Sequence, residues 1–148
     1  MLNPFDPKAA LLAKHAQHVV LIHFPIALYL TGTLFDLAAR VFRKPALAAA
    51  ARWNFLVAAP ASLAAAASGL LAWRFALAGQ TIKGLLLWHL VLGLATVAAL
   101  WLTFLVRVRN RPPDALPPSF LVGFELTACA VVAVTAHLGG FLSGVNFG

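Results

Sequence analysis

The chain of 148 residues is 62% hydrophobic, with eleven basic and four acidic side chains, a formal net charge of +7 and a mean hydropathy of +0.91. That balance excludes a water-soluble domain of this size, so lipid is the expected solvent. In a soluble protein the basic excess would suggest nucleic acid, but here it falls mostly in connections between apolar runs, where membrane topology accounts for it, and no nucleic-acid partner is expected.

In chain order, residues 8–18 (KAALLAKHAQH) mix apolar and polar positions at helical spacing and are expected to lie along the membrane surface, giving an interfacial segment over residues 1–18. Residues 19–148 then form one domain with four apolar runs at about 19–42, 53–78, 84–106 and 120–142, each long enough to span a hydrocarbon core. No run alternates apolar and polar residues over strand length, so a barrel is not expected. The first run is too long for a signal peptide and no small-residue cleavage site precedes Arg40, so it is expected to remain. The second run is rich in alanine, which allows neighbouring backbones to approach closely. Pro60 and Ser62 hint at a break there, without a partner break in an inverted half. The connection RNRPPDALPPS at residues 109–119 is proline-rich and expected to be extended. The fold class predicted is therefore all-α, an integral membrane four-helix up-down bundle with both termini on one side.

Arg40, Arg43, Lys44 and Arg52 flank the first connection, and Arg107, Arg109 and Arg111 the third. These outnumber Lys8, Lys14, Arg74 and Lys83 on the other side, so the termini are predicted outside, in a bacterial cytoplasmic membrane. Cys129, the single cysteine, lies within the fourth run and permits no internal disulfide or CxxC motif.

The five histidines, His15, His18, His23, His89 and His137, all fall toward the same side once the spans alternate. His23, His89 and His137 lie about one turn inside three different helices. Ionisable groups in a membrane mark function by default, although any one imidazole could simply bond to a neighbouring helix. On the third run His89, Gly93, Thr96 and Thr103 share a small or polar stripe that should face protein, and Gly139 and Gly140 beside His137 leave room for a flat group. Pro25 is expected to kink the first helix or to begin its buried part. At the opposite end Asp36, Arg40, Asn54 and Glu125 form a second polar set, in which Asp36 and Arg40 are spaced to pair.

The strings HVVLIHFPIALYLTGTLFDLAA at residues 18–39, SGLLAW at 68–73 and HLGGFLSG at 137–144, with His89 between them, resemble the bacterial predicted membrane domains grouped as domain of unknown function 2231. The resemblance extends over nearly all of the chain from His18 onward. It implies a four-helix membrane domain similar in layout to small b-type cytochromes, sometimes attached to redox modules such as Rieske centres. The chain departs from the family pattern at Val19, at Ala72, and in its SGVNFG ending.

Three functions remain open from sequence. The leading expectation is a subunit that carries haem b and passes electrons near the outer face to other membrane or redox subunits. His89 and His137 are its first ligand pair, His23 is the substitute, His18 lies nearer the surface, and Arg74 or Lys83 would meet the propionates. The second is a copper or zinc site on His23, His89 and His137 together. The third is a structural or assembly subunit without a cofactor. Independent enzyme activity has no support, since no nucleophile–base pair, phosphate loop or carboxylate pair is found.

Overall fold

The computed structural model describes residues 7–109, 112 and 114–144; Arg111 and the tail over residues 145–148 lie outside them. A short α1 over Pro7–Leu12 is followed by four long helices: α2 Lys14–Phe42, α3 Pro45–Phe75, α4 Gly84–Arg109 and α5 Ser119–Leu142. All four are long and apolar enough to cross a membrane. The protein is an all-α integral membrane bundle, because a backbone in lipid must satisfy its own hydrogen bonds.

The helices do not follow the apolar runs residue for residue. Helix α2 begins at Lys14 and continues through residues 18 and 19, and Pro25 lies buried within it. Helix α3 begins at Pro45, well before Trp53, because a proline in the first helical turn sacrifices no hydrogen bond. Arg43 takes the left-handed conformation (φ 51°), and the Lys44 N–H then donates to the Ala39 carbonyl at 3.0 Å. At the far end α3 stops at Phe75. Gly79, also left-handed at φ 66°, donates its N–H to the Trp73 carbonyl, and the Trp73 indole N–H donates to the Gln80 carbonyl at 2.8 Å. Pro60 and Ser62 do not interrupt α3.

The turn between α2 and α3 makes them an antiparallel hairpin. His18 near the start of α2 meets Ser68 near the end of α3, and His89 near the start of α4 meets Thr135 near the end of α5, so the four spans alternate up and down. Sequence neighbours pack on one another and α5 closes back on α2, which leaves α2 and α4 on one diagonal. The end where α2 and α4 begin is called the histidine end below, and the end where they finish the arginine end.

Helix α3 is the strut of the bundle. Of its nine buried residues only Phe55 is larger than serine, so α2 lies against it closely, as small residues allow in lipid, where van der Waals contact must replace the hydrophobic effect between helices. Gly32 of α2 seats Phe55: a Cβ there would lie 2.8 Å from the ring. Tyr29, Ala51, Ala58, Leu100, Ala128 and Val132 complete the core with Phe55.

Packing is uneven along the bundle. The buried residues of α4 are Leu100, Thr103 and Arg107, all in its second half, while α5 has none after Val132 and α2 none before Pro25. The arginine end is closed and the histidine end is looser.

Candidate functional site

His18 and His89 come together at the looser end. Their ring centres are 6.4 Å apart and the rings nearly perpendicular. Each imidazole is anchored through Nδ1 to a third or fourth helix: His18 to Ser68 Oγ on α3 at 2.9 Å, and His89 to the Thr135 carbonyl on α5 at 3.1 Å.

These partners determine the tautomers. A carbonyl oxygen only accepts, so His89 carries its proton on Nδ1. The Ser68 hydroxyl donates to the Ala65 carbonyl at 2.7 Å, so its oxygen accepts from His18, which is also protonated on Nδ1. In the neutral form both Nε2 atoms keep a lone pair, and neither bonds to any described residue.

Two glycines make room for the pair. A Cβ on Gly69 would lie 3.0 Å from His18 Cε1, and one on Gly139 would lie 3.0 Å from His89 Cε1. Gly139 therefore serves His89 rather than its sequence neighbour His137. The polar stripe of α4 faces protein: Thr96 lies 3.4 Å from the Thr135 hydroxyl, a Cβ on Gly93 would meet Thr135, and Thr103 bonds to Tyr29 at 3.0 Å.

His23 and His137 stand elsewhere. His23 is exposed, with its Nδ1 2.6 Å from the carbonyl of Val19 in its own helix, and His137 is exposed against Phe141, with ring centres 4.9 Å apart. Among the described residues no three His, Cys, Asp or Glu side chains stand close enough to hold one metal ion. Arg74 is exposed at the histidine end with its guanidinium 6.0 Å from the Phe75 ring centre, and Lys83 lines a cavity of about 380 Å³ with Gln80, Thr81 and Leu142.

At the arginine end Asp36 pairs with Arg107, not with Arg40. Four-residue spacing on one helix is a weaker draw than a guanidinium buried on the facing helix. The same Arg107 nitrogen lies 3.5 Å from Glu125 Oε1, and its guanidinium covers the face of Phe55. Arg40 instead donates to the Pro117 carbonyl and to Ser119 Oγ, fastening the entry to α5. Asn54 donates to the Ala50 carbonyl of its own helix and takes no part.

Sequence reasoning missed Ser68 and Thr135, whose roles depend on which helices meet. It also missed Arg107, whose position before Arg109 and Arg111 made it look like a loop charge. A signal was present in the two acidic residues buried within apolar runs, which require a cation at the same depth.

This architecture defines a multi-pass membrane protein with one polar centre at each end of a four-helix bundle. The chain belongs to the family described as "Predicted membrane protein (DUF2231)", whose pattern matches residues 14–145. Neither a curated protein nor a solved structure matches it.

Proposed function

We propose that the protein is a membrane-embedded electron-transfer subunit that holds one haem b between His18 and His89. The observation that carries this reading is the pair of imidazoles on diagonal helices, both fixed through Nδ1 and both with Nε2 uncommitted. Histidines that ligate metals characteristically donate the other ring N–H to a carbonyl or similar acceptor, which fixes the tautomer and raises ligand basicity. Two imidazoles bound on opposite sides of one metal through bonds of about 2.0 Å place their ring centres roughly 6 Å apart, close to the spacing here.

A haem held in this way supplies reversible one-electron iron chemistry. His18 and His89 would hold it, Ser68 and Thr135 would orient them, and Gly69 and Gly139 let the two rings seat against α3 and α5. Arg74, at the same end, is the cation proposed for the propionates. The looser packing of α4 and α5 there accommodates a flat group without disturbing the core. This assignment moves the ligand pair from His89 and His137 to His89 and His18. It also favours two imidazoles over a copper or zinc site of three, since among the described residues no third histidine joins the pair closely enough to share one metal. With Arg40, Arg43, Lys44 and Arg52 near the arginine end, the histidine end is assigned to the outer face of the membrane. Electrons would pass there to another membrane or redox subunit.

The test is a set of oxidised and dithionite-reduced visible spectra of protein purified in mild detergent from cells supplied with haem precursor. Sharp reduced α and Soret bands are expected in the wild type, in His23→Ala and in His137→Ala, and are expected to be lost in His18→Ala and His89→Ala. A colourless wild type would overturn the proposal.

A further inference from the structure

The arginine end holds more acid than its buried base can neutralise. Asp36 and Glu125 are completely buried and Arg107 is 2% exposed, so two carboxylates on two helices share one guanidinium deep in the bundle. Arg52 of α3 donates to the backbone carbonyl of Arg107 and Arg40 of α2 to Pro117 and Ser119, and no oxygen of Asp36 or Glu125 receives a hydrogen bond from either. Cys129 of α5 and Tyr29 of α2 also carry ionisable protons, but they bond to Thr33 and Thr103 one turn deeper.

With both carboxylates ionised the cluster would carry one net negative charge in a medium that solvates charge poorly, and two acids in this position relieve the excess by keeping one proton. Geometry selects the acid that keeps it. None of the four oxygens of Asp36 and Glu125 receives a hydrogen bond, so the guanidinium decides: Asp36 is in direct ionic contact with Arg107, whereas Glu125 stands 3.5 Å from the same nitrogen. Ionised, the more distant carboxylate recovers less of its desolvation cost from the guanidinium, a cost that a protonated one largely avoids.

We propose that Asp36, Arg107 and Glu125 form a proton-binding site in which Glu125 carries a proton exchangeable with the aqueous phase at the arginine end. Glu125 lies six residues into α5 from Ser119, about 9 Å along the helix, and Arg40 and Ser119 offer polar groups on the way. Thr33, Thr103 and Cys129 form a second polar layer one turn deeper, on the same three helices as the charged one. The site is independent of the histidine pair and stands whether or not haem binds.

Glu125 is the sole glutamate of the chain, so carbon-13 labelling of the glutamate side-chain carboxyl reports on it alone in the unmodified protein. Infrared spectra would be recorded on labelled and unlabelled full-length protein in lipid vesicles at neutral pH. The expected result is a carboxylic-acid carbonyl band that shifts down on labelling and again on transfer to deuterium oxide. In Asp36→Asn, where Glu125 becomes the sole acidic partner of Arg107, that band should give way to ionised-carboxylate bands. Label-sensitive bands of ionised carboxylate in the wild type, or an acid band indifferent to deuterium oxide, would overturn the proposal.

Discussion

Ser68 stands between Ala65 and His18, giving its hydroxyl proton to the first and accepting the Nδ1 proton of the second. The direction of this short chain is forced, because a carbonyl has no proton to return. Replacing Ser68 with alanine removes the hydroxyl that accepts from His18 Nδ1. If the imidazole ligates a metal centre, affinity should fall about 10- to 100-fold, as is typical when the residue that orients a ligand is lost. Haem titration would measure the loss, and nitrogen-15 NMR of the imidazole should show the Nδ1–H form in the wild type alone.

Gly139 and Gly123 lie on the same helix and should respond oppositely to alanine. A Cβ at Gly139 meets the His89 ring at 3.0 Å, whereas one at Gly123 meets nothing within 4 Å. Gly123→Ala should be neutral or stabilising by roughly 0.5–1 kcal/mol through the lower entropy cost of alanine in a helix. Gly139→Ala should displace His89 and reduce cofactor retention while the bundle stays folded, as read by helical circular dichroism beside haem content.

Gly32→Ala should weaken the pairing of α2 with α3 by about 1–3 kcal/mol, the usual cost of forcing a methyl group into a packed core. Phe55→Leu in the same chain should recover part of it, because the ring is the obstacle. Denaturation in mixed detergent micelles would give both values.

Arg107→Gln leaves the Asp36 carboxylate buried without its cation and should cost about 3–5 kcal/mol. Adding Asp36→Asn should restore part of that loss, so the double variant is more stable than the single one. Equal stability of the two would show that a stranded Asp36 carries no penalty.

Single cysteines introduced in a Cys129→Ser background at Lys44 and at Gln80 should react with a membrane-impermeant maleimide from opposite sides. In intact spheroplasts the assigned orientation predicts labelling at position 80 and protection at position 44. The reverse pattern would invert the topology.

Hydropathy made the four spans visible because lipid imposes length and apolarity on each helix separately. It could not show that Pro45 starts a helix in a polar turn, since caps act through backbone geometry rather than through the hydrophobicity of the run. The alternation of spans placed the histidines at one end, but not the pairing of His18 with His89. His18 seemed too near the surface, and its recruitment depends on Ser68 and Gly69 of another helix. The same blindness to rotation between helices made Arg40 look like the partner of Asp36. Sequence spacing records neighbours on one cylinder, while burial of Asp36 is resolved across the bundle by Arg107.

The unequal packing of the two ends also gives the bundle an order of unfolding. Ion contacts, the Phe55 seat and the buried residues of α4 all belong to the half that finishes at Arg107, so the cost of local opening rises from one membrane face to the other. The first turns of α4 and the last turns of α5 should therefore part and rejoin while Arg107 still clamps their opposite ends. A planar hydrophobic molecule dissolved among the acyl chains would then have a sideways entrance that does not require the helices to separate.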